Sequence, residues 1–510
     1  MQRRLSITLA AMLLVPLAGL HAAVGTQTFD IRQYGAAGDG TNLDTVAIQK
    51  AVNAAAAAGG GTVVFPAGRY LSGSIYLKSH VKLRVDKGAT LLGSPHQADY
   101  RKLNYYALLL ANEQEDIEIC GTGVIDGQGK LLDANTRHIM PQRNPPFADE
   151  SQRPFIINFR NCRNVKVRDI TLKESSCWVQ LYRNCERVTI ENITVRTSAT
   201  ITNDGIDLDG CVHAVVRNCD IDSEDDGICL KSTDRACDDI LVENCRVRSS
   251  CNAVKFGTAS VGGFKNITIR NLEIYDTYIS AIALECVDGG TLENVNISKI
   301  KITDTANPLF IRLGHRNTKG AVGTVSGVTI SDLTAEIPDR PLSEMTKRPS
   351  DWKCGSTKLV TASITGLPGH PVKGVTLKNI TILYGGIGDK PSPRHRQWNN
   401  LKAIPECADT YPESTKFGVL PAWGLYCRHA EGIILDNVTL RVKAKDYRPA
   451  LVCDDVKNLR LDGVQVKSAG SEPVIVLNDV LGAQIRNSPA PANTVQFIKT
   501  TGNTKNIETK

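Results

Sequence analysis

The stretch VKVRDITL at residues 165–172 recurs in altered letters down the chain. It returns as VTIENITV (188–195), AVVRNCDI (214–221), ILVENCRV (240–247), ITIRNLEI (267–274), VNISKIKI (295–302), VTISDLTA (328–335), VTLKNITI (375–382), IILDNVTL (433–440) and LRLDGVQV (459–466). Aligned on Ile170, Ile193, Cys219, Cys245, Leu272 and Ile300, the first copies are 23, 26, 26, 27 and 28 residues apart. That is the period of a solenoid. Within each copy apolar residues alternate with Lys, Arg, Glu or Thr, which is strand and not helix periodicity. Asn192, Asn218, Asn244, Asn271, Asn379 and Asn437 share one register, where the coil must bend. Coils stacked about 4.8 Å apart would let these amides bond from one coil to the next. We therefore read Asn192 and Asn379 as ladder residues, although both sit in Asn-x-Thr sequons. Three short strands per repeat, joined by turns too brief for helices, predict an all-β chain folded as a single-stranded right-handed parallel β-helix. A leucine-rich horseshoe lacks its consensus here, and a propeller needs blades of about 40 residues.

Ahead of the regular coils, Thr45 to Ala58 is Ala-rich and helical in character, and Gly59 to Gly61 and a strand at Thr62 to Phe65 follow it. An open coil end exposes apolar rungs and unpaired backbone, so this helix is expected to be an N-terminal cap. The repeat stretches between Leu333 and Val438, which predicts long loops near 338–372 and 385–430 on the solenoid flank. Loops so placed often shape a binding groove.

The chain has 510 residues, of which 42% are hydrophobic and 22% charged, enough to bury a large core and unlike a disordered chain. Arg3 and Arg4, an apolar run from Ile7 to Leu20 broken by Pro16, and small residues at Ala22 and Ala23 read as a signal peptide at 1–23. A membrane anchor would need about 20 uninterrupted apolar residues. Residues 24–510 then form one domain, expected in the periplasm or outside the cell and free of the membrane. Losing Arg3 and Arg4 lowers the formal charge from +7 to +5. The remaining bases are scattered, with no patch suited to nucleic acid. The 15 Cys are an odd number in a chain too long to need staples. Cys162, Cys185, Cys211, Cys219, Cys245 and Cys251 recur in the repeat and read as buried hydrophobes, leaving Cys354, Cys407 and Cys427 as candidates for bridges. No Cys/His spacing suits zinc, and no metal or other cofactor is expected.

The chemistry concentrates in Thr202-Asn203-Asp204-Gly205-Ile206-Asp207 and Ser223-Glu224-Asp225-Asp226-Gly227-Ile228. Asp204 and Asp225 are 21 residues apart, almost one coil, so the two segments should lie side by side. Clustered carboxylates raise the proton affinity of at least one of them. One then serves as acid and another as base, which is what glycoside hydrolysis requires, with about 6.5 to 9.5 Å between them if water attacks directly. Asp-Gly is also ordinary turn chemistry, and shared function of Asp225 and Asp226 needs a local bend, for which Gly227 is suited. Calcium binding is the other use of clustered acids, but the Asp-x-Asp-x-Asp-Gly loop is missing.

These segments, together with Phe29-Asp30-Ile31, Tyr34-Gly35-Ala36, Gly38-Asp39-Gly40 and Gly121-Thr122-Gly123-Val124-Ile125-Asp126-Gly127, resemble the polygalacturonase family, glycoside hydrolase family 28. The resemblance runs from about residue 28 to the 460s. It implies a pectin-lyase-like solenoid, a pectic polysaccharide or oligosaccharide as substrate, and inversion by direct attack of water. Asp225 would be the general acid, and Asp204 and Asp226 would activate the water. The chain also departs from the family pattern. Thr202-Asn203-Asp204 stands for Asn-Thr-Asp, Cys251-Asn252-Ala253 for Gly-His-Gly, and Ala283-Leu284-Glu285 for Arg-Ile-Lys. The uronate clamp is therefore altered, as in members acting on rhamnogalacturonan or on oligosaccharide ends. Asn203, Asn252, Lys255, Glu285 and Arg312 are the candidate substrate-binding residues, with Lys255 and Arg312 placed in one column of later coils. His315 is read as structural. The expected protein is an exported, monomeric, inverting hydrolase of galacturonosyl linkages. The rivals weighed beside it are a rhamnogalacturonan hydrolase of the same family, a polysaccharide lyase using Lys255 or Arg312 as base, and a noncatalytic pectin-binding solenoid.

Overall fold

The computed structural model describes residues 27–136, 152–338, 361–386, 398–468 and 473–510, and a short strand pair at 142–143 and 147–148. The expected leader and most of the first long loop lie outside the described residues. The rest winds as a right-handed parallel β-helix. One coil comprises Gln180–Arg183, Glu186–Glu191 and Thr194–Arg196. The next comprises Ile206–Asp209, Val212–Arg217 and Asp220–Ser223, each strand parallel to its counterpart and one coil on. Alternate residues such as Tyr182, Leu208 and Leu230 point inward and form a continuous buried column.

In the earlier coils the repeated phrase spans two strands, as in Glu186–Glu191 and Thr194–Arg196, whereas later copies run within one long strand such as Phe264–Cys286. At the midpoint of the phrase the Asn adopts left-handed backbone, with φ between 53° and 55° at Asn192, Asn218, Asn244, Asn271, Asn379 and Asn437. Asn and Asp are the non-glycine residues whose short polar side chains tolerate that region readily, and Asp169 and Asp332 take the same backbone. The amides bond along the stack: Asn192 Nδ2 donates to Asp169 Oδ1 at 3.1 Å, and Asn218 Nδ2 to Asn192 Oδ1 at 3.2 Å. The N-terminal helix spans Thr45–Ala57 and buries Ala47, Ile48, Ala51, Val52 and Ala55 over the first coils.

Three sequence expectations need correction. The loop zones carry strands: Ala362–Thr365 and Leu425–Glu431 continue the stack, because each new coil must still satisfy the backbone of the one before. The cysteines form separate ladders. Cys162 bonds to Cys185 and Cys219 to Cys245, while Cys251 packs in a cluster of its own with Tyr278, Ile279 and Ala306. Cys407 and Cys427 are free thiols: Cys427 points into the core beside Cys453, whereas Cys407 packs outside the sheet on a loop. Cys354 lies outside the described residues.

The Asn ladder yields a direct prediction. Asn218→Ala forces a Cβ residue without a local amide into left-handed backbone and breaks the ladder bond, and is expected to cost about 1–2 kcal/mol. Asn218→Gly, which removes only the bond, is expected to cost less; urea unfolding of the two variants orders them.

Candidate active site

One face of the coil turns alternate side chains outward, away from the core, along Gln180–Arg183, Ile206–Asp209, Ile228–Ser232, Asn252–Ser260, the end of Phe264–Cys286, Phe310–Leu313, Ala362–Thr365 and Leu425–Glu431, and most of them are nonetheless buried. The acidic segments lie at its entry. Gly205 N–H donates to the Asp226 carbonyl at 2.8 Å, and Gly227 N–H to the Asn252 carbonyl at 2.8 Å. A Cβ at Gly205 would sit 2.6 Å from the Gly227 carbonyl oxygen, and one at Gly227 2.6 Å from that of Ala253. Only glycine lets the coils approach so closely here, and that approach brings Asp204, Asp226 and Asn252 into register on successive coils.

Two lysines neutralise this floor. Lys231 Nζ bonds Asp204 Oδ2 at 2.9 Å, bonds Asp207 Oδ1, and lies 4.2 Å above the centre of the Trp178 ring. Lys255 Nζ lies 3.0 Å from Asp226 Oδ2 and donates to Tyr411 Oη at 3.1 Å. The other Asp226 oxygen accepts from Asn252 Nδ2 at 2.9 Å and from its backbone N–H at 3.2 Å. Burial pushes the Asp204 carboxyl above the usual range, aided by Asp226 and opposed by Lys231. Burial acts on Asp226 too, but Lys255, Lys231 and the Asn252 amide outweigh it and hold that carboxyl low. Both ammonium groups resist the burial that disfavours their charge; Asp204 and Asp207 lift Lys231, and Asp226 with Tyr411 and Glu285 lifts Lys255.

Asp225 is half-buried and sits in the bend, where its Oδ1 accepts the Asp226 N–H at 3.0 Å. Its carbonyl accepts from Ser223 Oγ at 2.8 Å and Ser249 Oγ at 2.6 Å. The bend keeps a carboxylate oxygen of Asp225, one of Asp226 and the Cys251 sulfur within 4.8 Å of one another. Asp204, Asp207 and Cys229 make a second such trio. Lys231 meets Asp204 and Asp207 of the second trio, and Lys255 meets Asp226 of the first.

Asp204, Asp225 and Asp226 thus come together as the spacing predicts, although the coil partner of Asp204 is Asp226 and not Asp225. The binding residues fare differently. The Asn203 amide is spent inside the fold, donating to the Ser175 and Cys177 carbonyls at 2.8 Å each and accepting from Thr200 N–H at 2.7 Å. Asn252 holds Asp226, and Lys255 is its ion-pair partner. Lys255 and Arg312 do not share a column: Lys255 pairs with Ala283 and then Phe310, while Arg312 pairs with Glu285. The Arg312 guanidinium is 2% exposed and binds the Gly366 and Glu406 carbonyls and Thr365 Oγ1, so it anchors a loop instead of facing a cleft. Glu285 is 1% exposed, its Oε2 has no hydrogen-bond partner, and burial pushes its carboxyl up to about 8. Asp207, Lys231 and Tyr411 escaped the sequence reading. The alternation Asp207, Asp209 and then Lys231 one coil on was a usable signal for the first two; Tyr411 arrives from 156 residues beyond Lys255 and gave none.

The model of the glycosyl hydrolases family 28 matches residues 58–400. The chain belongs to that family. It is 24% identical over 383 residues to the exo-poly-alpha-D-galacturonosidase of Dickeya chrysanthemi, an alignment covering 61% of this chain and 63%, less than two thirds, of that one. It is also 24% identical over 397 residues to a probable polygalacturonase of Vitis vinifera, covering 68% and 73%. The crystal structure of an exopolygalacturonase from Thermotoga maritima superposes with a TM-score of 0.58 at 22% identity, over 71% of this chain and 88% of that one, and shares the fold.

Glu285 gives a test of the floor's electrostatics. A carboxyl raised to about 8 stays protonated in the fold while the unfolded chain, near 4.3, ionises. Its stabilising contribution is therefore full below the unfolded value and lost as pH rises toward 8. Glu285→Gln is neutral throughout, so its melting temperature minus that of the parent is expected to grow between pH 5 and pH 8. A difference that does not change with pH would mean that Glu285 is already ionised in the fold.

Proposed function

We propose that this family 28 chain is an exported polygalacturonase-type hydrolase that cleaves galacturonosyl linkages of pectic chains with inversion, working from chain ends. The observation that carries the reading is the division of labour among the three acids. Asp225 is the one left half-exposed in the bend, with a carboxylate oxygen within 4.8 Å of one of Asp226, and it protonates the leaving oxygen. Asp226, held ionised by Lys255 and Asn252, fixes the attacking water. Asp204, ionised beside Lys231 but with raised proton affinity, takes the water's proton. A lyase would need a free amine as base, whereas the Lys255 ammonium is bound to Asp226 and its proton is held more tightly than usual.

Chain-end action is supported by a wall. Leu401, Ile404, Phe417 and Leu420 pack on the outward residues Ala283, Phe310, Tyr426, Val452 and Val476, closing the groove on the C-terminal side of the acids. The wall is pinned by Arg312 on the Glu406 carbonyl, by Arg428 Nη2 at 2.6 Å from Glu406 Oε1, and by Arg428 Nη1 on the Ile404 carbonyl at 2.8 Å. The apolar leader at 1–23 supports export.

Asp225→Asn is expected to lower kcat on polygalacturonate oligomers about 10²- to 10⁴-fold with an unchanged melting temperature. Substantial residual hydrolysis would remove Asp225 from the acid's role. NMR of the first product formed should show the β anomer from an α linkage. Reducing ends should also appear well ahead of any fall in polymer viscosity; a rapid viscosity drop would mean internal cleavage.

A further inference from the structure

Beside Lys255 the cleft floor meets a segment that the family model does not reach. The match ends at residue 400, and Tyr411 follows it. Tyr411 is 45% exposed while its hydroxyl accepts from Lys255, so the ring stands open at the edge of the reacting acids. Close by, the carboxyl of Glu285 is buried with Oε2 unpartnered. A buried polar atom without a partner calls for one. Gly257 leaves that oxygen clear of any side chain from the preceding coil, since even a Cβ there would lie 3.6 Å from Oε2.

The charges around this point decide what kind of partner fits. Lys231 is taken by Asp204 and Asp207, and Lys255 by Asp226. Arg316 is taken by Asp288, with contacts of 2.6 and 2.9 Å. Arg312 is consumed beneath the wall. Glu413 adds a further negative charge near Glu285. A sugar carboxylate placed here would meet Asp226 and Glu413 and, among the cations named above, none that is unpaired, whereas a hydroxyl would supply what Glu285 lacks.

We propose that Tyr411 and Glu285 form a subsite for an uncharged sugar unit, one without a free carboxylate, with the tyrosine ring as platform for its C–H face and the glutamic acid as partner for one hydroxyl. The subsite rests on the glycosidase reading above and gives it a substrate class: pectic chains whose unit at this position is a neutral sugar or an esterified uronate.

The test compares trigalacturonate with its methyl triester on the full chain. Because the other subsites are the same in every variant, a change in the kcat/KM ratio between the two substrates reports this position. The parent is expected to prefer the ester. Glu285→Lys should move the ratio toward the free acid by about tenfold or more, since it replaces an uncharged carboxyl with a cation that attracts a carboxylate. Tyr411→Ala should raise KM for both substrates about tenfold with a smaller change in kcat, and Tyr411→Phe should recover most of that loss. A ratio unmoved in a Glu285→Lys protein that melts like the parent, or an unchanged KM in Tyr411→Ala, overturns the proposal. If the parent cleaves neither substrate, the glycosidase reading fails instead. Calorimetric Kd values for the same two compounds then decide the subsite separately, with the same shift in ratio expected and an unmoved ratio overturning it.

Discussion

The hydrogen bond between one coil's amide and the next coil's carbonyl is the constraint from which the cleft follows. At Gly205 and Gly227 it draws the backbones so close that a methyl group would not fit. The side chains just before them, Asp204 and Asp226, then have no choice but to stand over one another. A solenoid needs this approach at every rung, and its chemistry costs little more than placing acids where the rungs happen to be tightest. The Asn ladder applies the same logic at the preceding corner of the coil, where left-handed backbone recurs at one register and the amides lock it.

Stacking acids in register creates an electrostatic problem that the fold solves with two ammonium groups. Asp204, Asp207 and Asp226 are all buried, and an isolated buried carboxylate would protonate before it tolerated its charge. Lys231 and Lys255 keep the floor charged without quenching it, because each is shared unequally. Lys231 divides itself between two carboxylates, and Asp204 retains a raised proton affinity. Lys255 serves mainly Asp226, which the Asn252 amide also holds, and that carboxyl falls. Chemically similar groups one coil apart are thereby driven in opposite directions, the condition for acid and base work at one pH.

The fold and the three aspartates were legible because both rest on periodicity. The spacing of Ile170, Ile193, Cys219 and Cys245 counts coils, and the coil count brings 204 to 226. What a side chain does within its coil was less legible. Asn203 and Arg312 have the right chemistry and the right neighbourhood, yet their polar atoms satisfy backbone groups at points where the chain leaves the regular stack. No single-sequence pattern tells which carbonyls an irregular segment will leave open. Lys255 and Arg312 were placed in one column by counting residues, and the irregular end of Asn252–Ser260 shifts that count: its register slips between Leu230 and Ser232. Tyr411 was beyond reach for a different reason, being joined to the site by a loop of irregular length.

That loop shows how such a solenoid can vary its substrate without touching its acids. The coils must repeat, so a change in a strand residue is constrained by its neighbours above and below. The segment at 398–424, just ahead of Leu425–Glu431, is not so bound. It buries Leu401, Ile404, Phe417 and Leu420 on outward positions that are themselves apolar, Ala283, Phe310, Val452 and Val476 among them. Strand and loop have therefore been matched to each other: an outward apolar rung is a liability unless something covers it, and the cover is what brings Tyr411 to Lys255. The same matching explains why Glu285 is tolerated. With the wall excluding water, a charged residue in that column would need a partner, and Arg312 in the same column finds its partners in the wall's own backbone. Glu285 Oε2 finds none and the carboxyl keeps its proton, so its hydrogen-bonding capacity remains to be met from outside.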